Sequence, residues 1–176
     1  MFESFNISKF NAAERQLKEA IRLVIQGRDP ISTHTLACSA HQILYDLAQK
    51  HGISSNIKDI VPNRKKREWF NILNTPYNFF RHANKDTDKE ITFNPTISHF
   101  FILDATYMYQ ALNSNLFYEG ALFRLWFNRH YPDYILKNNT GDRLMNLMQE
   151  FKAYFTDEDF LDYLDLIDKH GLNYIK

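Results

Sequence analysis

Apolar side chains recur at intervals of three and four residues through the first fifty positions, which is the spacing of amphipathic α-helices. A first helix is predicted over residues 9 to 26, with Ser8 as its N-cap and Gly27 as its stop. Pro30 and Ser32 open a second helical pattern that runs to a stop at Gly52. The stripe of the first helix comprises Phe10, Leu17, Ile21, Val24 and Ile25.

A polar connector follows and ends in the basic run NRKKR at 63 to 67. EWFNILN continues the helical pattern, and Thr75 with Pro76 predicts the start of a further short helix, YNFFRHA. The next segment, NKDTDKEITFNP, has the composition of a loop, with residues 91 to 93 extended.

The second half is strongly apolar from Pro95 and predicts two long helices, at 96 to 112 and 115 to 130. Two further helices are expected, from Gly141 through Phe155 and over 157 to 169. These elements predict an all-α protein, a single compact domain over residues 1–176 with seven or eight helices in one bundle.

The amino-acid composition excludes some classes of fold and of binding site. Of 176 residues, 27 are Phe, Tyr or Trp, which allows a substantial core, and only five are Gly. So few glycines argue against a turn-rich β-fold and against a glycine-rich phosphate loop. We therefore expect no dinucleotide cofactor, and the motifs indicate no other cofactor.

The sequence also bears on the cellular compartment of the protein and on its association with membranes. One cysteine, Cys38, cannot form an internal disulfide, so the cytoplasm is the expected compartment. The N-terminal residues lack the pattern of a secretory signal, and no apolar run approaches the roughly 20 residues of a bilayer span, so no membrane association is expected.

Charge is balanced overall, with 21 basic and 21 acidic residues, but it is segregated. Residues 56 to 89 hold eight Lys or Arg against four Asp or Glu, and residues 141 to 176 hold four against eight. One interpretation is that these charges simply lie on helix faces exposed to solvent. The functional one is that the basic run contacts RNA phosphates or an acidic surface, including that of another copy. The candidate residues are Arg64, Lys65, Lys66 and Arg67.

Three side chains able to bind metals share one face of the second helix, because His34, Cys38 and His41 follow helical spacing. They could supply part of a metal site completed by His82 or Asp104, or they could be a core-facing cysteine between hydrogen-bonded histidines. The second interpretation predicts no bound metal.

Asp104 lies on an apolar helical stripe, where an unpaired carboxylate costs several kcal/mol. It should therefore have a partner. Candidates are Arg81, His82, His34 and His41, and the alternative is a structural carboxylate bonded to backbone or tyrosine hydroxyls. We also expect His34 and His82 to line one internal or cleft-side cluster.

The segment NFFRHA places Asn78, Arg81 and His82 within two helical turns. Asn78 and His82 are spaced to face the same side, and an imidazole beside a guanidinium can perform acid–base chemistry on a phosphate ester. An exposed helix end whose cations complement the helix dipole is the alternative.

DPISTHTLACSAHQIL at 29 to 44 together with NFFRHA at 78 to 83 resembles a family of uncharacterised bacterial all-α proteins with DP-x-x-x-HTLA and NFF-[KR]-HA motifs. That resemblance implies a bacterial, cytoplasmic helical protein. More distantly, Asn-x-x-x-His in such a bundle is similar to HEPN domains, including abortive-infection proteins, whose members are often dimeric ribonucleases using Arg-x(4 to 6)-His.

The HEPN resemblance implies a homodimer that binds or cleaves RNA without a metal, with His82 as general acid or base, Arg81 stabilising the phosphate and Asn78 positioning either group. Tyr77 stands where the family's arginine would precede Asn78. Two other pairs fit the spacing, Arg28 with His34 and Arg124 with His130, and chance alone gives about one such pair.

Three functions therefore stay open. The leading one is an RNA-binding or RNA-cleaving protein of bacterial stress or phage defence. The second is a non-catalytic module that forms homo-oligomers or heteromeric complexes. The third is a helical metal-dependent enzyme that uses His34, His41, His82 and Asp104.

Overall fold

The computed structural model describes residues 4–84, 87–132, 134, 161 and 162. Within them the chain forms five α-helices and one short 3₁₀ helix, and no strand, so the all-α prediction is confirmed for this part of the chain. The predicted helices at 141 to 155 and 157 to 169 lie outside the described residues, apart from positions 161 and 162, which are helical. The α-helices are α1 (Lys9–Ile25), α2 (Pro30–Gln49), α3 (Lys66–Arg81), α4 (Thr96–Asn113) and α5 (Tyr118–His130), and the 3₁₀ helix is Asn63–Lys65.

The first two helices begin where polar side chains can cap them. Ser8 Oγ accepts the backbone N–H of Asn11 at 3.1 Å, as predicted for an N-cap. The carboxylate of Asp29 accepts the N–H of Ser32 at 2.7 Å, directly before Pro30 at the first position of α2. Gly27 has a positive φ of 59°, which allows the chain to turn sharply between the helices.

The core surrounds α2, which packs against α1, α3 and α4, while α5 packs against α1 and α4. Because α2 is central, its small residues face its neighbours closely, and three of its polar side chains, Thr33, His34 and His41, are buried. None of the described helices combines the length and apolarity that a bilayer crossing requires. Fully buried core residues include Leu17, Ile21, Leu44, Phe101, Ile102, Phe123 and Phe127.

One helix, α3, replaces the two predicted at this point. The expected helix start at Thr75 and Pro76 is wrong, because Pro76 lies inside α3. A proline there removes one backbone hydrogen bond, at a cost of about 3 kcal/mol. The helix persists because its apolar side chains keep their helical spacing across the proline, with Leu73 buried against the core.

Two other boundaries also differ from the predictions. α3 ends at Arg81, and His82 takes an extended conformation (φ −136°, ψ 130°), so His82 is not part of the helix that carries Asn78. α5 begins at Tyr118 rather than 115, because Phe117 is in an extended conformation.

Candidate functional site

A buried hydrogen-bond network joins α2, α4 and the connector between α2 and α3. The Nε2 atom of His41 lies 2.7 Å from Asp104 Oδ2. Ser55 Oγ donates to the same carboxylate oxygen at 2.5 Å, and the N–H of Asn56 donates to Asp104 Oδ1 at 2.8 Å. Asp104 therefore has three donors, and His41 is the partner among the four that the sequence suggested.

The charge state of this pair follows from burial and hydrogen bonding. Burial lowers the pKa of His41 despite the opposing effect of the Asp104 carboxylate. The pKa of Asp104 is also lowered, because bonds from His41, Ser55 and Asn56 outweigh the opposing cost of burial. A neutral His41 thus donates its Nε2–H to a carboxylate, and its Nδ1, which is buried, has no hydrogen-bond partner among the described residues.

The remaining part of the predicted face of α2 is also enclosed. The Nδ1 atom of His34 lies 3.0 Å from Ser98 Oγ, and its Nε2 lies 3.4 Å from the sulfur of Cys38. Burial lowers the pKa of His34 to about 4 and raises that of Cys38 to about 12. His34 is neutral and Cys38 is a protonated thiol at pH 7, so this face is a core-facing cysteine beside a hydrogen-bonded histidine.

A buried lysine in the connector, Lys58, contacts side chains of α2 and α3. Lys58 Nζ donates to the side-chain oxygen of Gln42 and lies 4.6 Å from the ring centroid of Tyr45 and 5.7 Å from that of Phe70. Burial lowers the pKa of Lys58. Two aromatic rings around an ammonium stabilise it by cation–π attraction and fix the connector against α2 and α3.

This network organises the fold, and it does not form an open reaction centre. His34 and His41 are fully buried and Asp104 nearly so. No group of three or more His, Cys, Asp or Glu side chains in the described part of the chain could hold a metal ion. The metal-enzyme hypothesis built on His34, His41, His82 and Asp104 is therefore not supported by this geometry.

The residues predicted to be catalytic lie elsewhere, on the surface. Asn78, Arg81 and His82 are all exposed at the C-terminal end of α3. The guanidinium of Arg81 lies 4.7 Å from the ring centroid of Tyr77. The expected cluster of His34 and His82 stays a prediction: His34 is fully buried, His82 is exposed beyond the last turn of the helix, and the described contacts include none between them.

Along α3, one exposed stripe consists only of arginine and asparagine. Positions 67, 71, 74, 78 and 81 follow intervals of four and three residues, so they project from the same side of the helix. All are exposed except Asn74, which is half-buried, and the three amides make no side-chain hydrogen bond among the described residues. We call this set the α3 stripe: Arg67, Asn71, Asn74, Asn78 and Arg81.

The basic run lies at the other end of the same helix. Arg64, Lys65 and Arg67 are exposed, and none of them lies within ion-pair distance of a carboxylate in the described residues. Lys66 differs, because its ammonium is 3.0 Å from Asp59 Oδ1. Three of the four predicted binding residues are therefore available to a ligand, and Lys66 holds the connector instead.

Some of these features could not be found from the sequence. Ser55 and Lys58 were not singled out, because they lie in a connector that has the composition of an ordinary polar loop. Ser98 was not singled out either, and it lies in the first turn of α4. The one available signal was the unexplained carboxylate of Asp104, which required donors that its own helix could not supply. The sequence did not reveal the α3 stripe, because Pro76 predicted two separate helices where the structure has one.

The chain matches no protein-family model, no curated protein and no solved structure.

Proposed function

We propose that this protein binds single-stranded RNA along the α3 stripe. The observation that carries the proposal is the exposed row of two guanidinium groups and three amides, with Arg64 and Lys65 extending its positive charge beyond the start of α3. Guanidinium groups bind phosphates through paired hydrogen bonds, and amides bind base edges. Unstacked bases of single strands are open to such contacts, whereas the deep groove of an RNA duplex is not.

Two physical arguments favour a ligand over a solvated face. Four exposed cations, Arg64, Lys65, Arg67 and Arg81, lack carboxylate partners in the described residues, so their charge is free to attract a polyanion. Asparagine is a weak helix former, costing up to about 0.7 kcal/mol relative to alanine at each position. Three asparagines on one face of α3 therefore reduce helix stability without any described contact in return.

RNA cleavage at the end of the stripe is part of the proposal. His82 directly follows Arg81 and is exposed, so its imidazole can reach a ribose 2′-hydroxyl of a strand held along α3. Arg81 would stabilise the phosphate oxyanion, and Asn78 would orient the strand. No metal takes part in this chemistry.

Fluorescence anisotropy with a labelled single-stranded RNA of about 20 nucleotides tests binding. Replacing both Arg67 and Arg81 by alanine should weaken binding at least tenfold at low salt, because two phosphate contacts are lost. The matched control replaces Arg28 and Lys50, two exposed cations outside α3, and should bind like the wild type. Equal loss in both variants, or no binding by the wild type, would refute the proposal.

Cleavage is tested separately by following the same RNA on a denaturing gel. Imidazole proton transfer contributes roughly 10² to 10⁴ in rate, so His82→Ala should abolish cleavage and leave binding largely unchanged. If the wild type binds RNA without cutting it, the protein is a binding protein and the catalytic role of His82 is wrong.

A second candidate function is an interaction module that forms a homodimer. It is favoured by two exposed apolar side chains: Ile60, in the connector, is 68% exposed, and Ile72, on α3, is 56% exposed. Analytical ultracentrifugation of the wild type and of a variant with both isoleucines changed to serine tests it. A dimer that dissociates in the variant supports this candidate.

For the whole chain, we propose the fold and role that the family resemblance implies. The protein would be a HEPN-like helical domain of seven or eight helices. It would act in the bacterial cytoplasm, in stress response or phage defence. The support for the helix number is that residues 161 and 162, within the predicted 157 to 169 helix, are helical.

A further inference from the structure

The C-terminal part of α3, which carries Asn78 and Arg81, is weakly joined to the rest of the helix. Pro76 lacks the N–H that would bond to the backbone carbonyl of Ile72, so the helix loses a hydrogen bond at this point. Among the other α-helices of the described residues, α3 packs against α2 alone. The last turn of α3 therefore needs side-chain contacts of its own to stay in line with Arg67.

The part of α3 before the proline has a polar contact to the connector, and the part after the proline has none. Trp69 Nε1 donates to the backbone carbonyl of Ile57 at 2.7 Å. Between positions 77 and 81, no side chain makes a hydrogen bond or an ion pair to another described element. Two rings supply the inward contacts of this part instead, those of Tyr77 and Phe80.

Phe80 contacts a buried histidine and a second phenylalanine. Its ring centroid lies 5.9 Å from that of His34 on α2 and 5.0 Å from that of Phe93, in the segment between α3 and α4. The ring centroids of His34 and Phe93 are also 5.0 Å apart. Each pair meets edge to face, which is a favourable arrangement of rings. We call this set the ring cluster: His34, Phe80 and Phe93.

His34 gives the ring cluster a fixed base. Its Nδ1 atom is 3.0 Å from Ser98 Oγ, and its ring centroid lies 5.9 Å from that of Phe101, so α4 holds it from another side. The whole residue is buried. A side chain that is held by packing and by a hydrogen bond keeps one orientation and can fix the groups that pack on it.

We infer that His34 and Phe93 act through Phe80 as positioning residues for the last turn of α3 and for the residue that follows it. Phe80 directly precedes Arg81 and His82, so loss of its contacts displaces both side chains from the surface proposed to bind RNA. This inference rests on the proposed function, since it names the residues that hold the same site in place.

Anisotropy titrations of single-stranded RNA at several salt concentrations test this inference. Phe93→Leu removes one ring of the cluster and keeps an apolar side chain. If Arg81 is displaced, the salt slope should become about 0.7 shallower, the value of one phosphate contact. His34→Gln also removes a ring and should show the same change. Phe93→Tyr should keep the wild-type slope, because the ring is retained.

Two further variants determine whether the effect passes through Arg81. In an Arg81→Ala background, Phe93→Leu should weaken binding no further, because the contact that it displaces is already absent. Phe10→Leu is the matched control. Phe10 is also half-buried, and its ring stacks on that of Tyr109 with 4.9 Å between centroids, joining α1 to α4 away from α3. This control should keep the wild-type slope.

Equal salt slopes for Phe93→Leu and the wild type would overturn the inference and leave the proposed RNA binding intact. An equal change in Phe10→Leu would also overturn it, because the effect would then come from a general loss of stability. So would an equal effect of Phe93→Leu with and without Arg81. Absence of RNA binding by the wild type would refute the proposed function itself.

Discussion

The Nε2 atom of His41 is 2.7 Å from Asp104 Oδ2, although 63 positions separate the two residues in the chain. The same carboxylate binds Ser55 and the backbone of Asn56, so one buried side chain ties α2, α4 and the connector together. A buried carboxylate with three donors stabilises a single arrangement of these elements, because every alternative leaves a donor unpaired.

Changing Asp104 to asparagine should lower the free energy of unfolding by about 1–3 kcal/mol, because the new NH₂ group must face one of the three donors. Urea unfolding followed by circular dichroism measures this loss. Asp88→Asn is the control, since Asp88 is exposed and its carboxylate accepts only from the neighbouring Thr87 among the described residues, and its effect should be small. Equal stabilities of the two variants would contradict the structural role of the network.

The free energy of unfolding should fall as pH decreases from about 6.5 to about 4. Burial lowers the pKa values of His34 and His99 to about 4 and also lowers that of His41, so the unfolded chain takes up protons in this range while the folded chain does not. Asp104 adds a further loss of stability at lower pH, because the pKa of its carboxyl is lower in the folded protein than in the unfolded chain. Urea titrations at several pH values measure the slope.

Replacing His34 with glutamine should flatten that slope by up to about 1.4 kcal/mol per pH unit, the contribution of one proton. His51→Gln is the control, because His51 is exposed in the folded protein. A pH dependence that His34→Gln leaves unchanged would mean that His34 is not a neutral buried histidine.

The helical class, the Ser8 cap and the bounds of α1 and α4 were predictable because they depend on local spacing. Ser8 and Gly27 delimit α1 as predicted, and Asp104 was identified as requiring a partner before its neighbours were known. The identity of that partner, and the contributions of Ser55 and Lys58, depend on how the connector folds onto the core. Such long-range contacts leave no periodic signal in a single sequence.

The prediction failed most clearly at Pro76, where a local rule conflicts with packing. Proline usually marks a helix start, and only the apolar face that continues on both sides favours one helix. Recognising that continuity was necessary to see that Arg67 and Arg81 belong to one surface.

Pro76→Ala should raise the free energy of unfolding by about 2 kcal/mol. It restores a backbone N–H inside α3, while the greater freedom of the unfolded chain offsets part of the gain. Pro30→Ala is the comparison, since Pro30 occupies the first position of α2, where proline is favourable, and no gain is expected. A loss of stability in Pro76→Ala would contradict a continuous α3.

The salt dependence of RNA affinity tests the central claim most directly, because it counts phosphate contacts. For single strands, the logarithm of the association constant falls with the logarithm of salt concentration by about 0.7 per contact. The variant with Arg67 and Arg81 changed to alanine should therefore show a slope about 1.4 shallower than the wild type, and the control with Arg28 and Lys50 changed should show no difference. Parallel slopes for the wild type and the α3 variant would contradict RNA binding along α3.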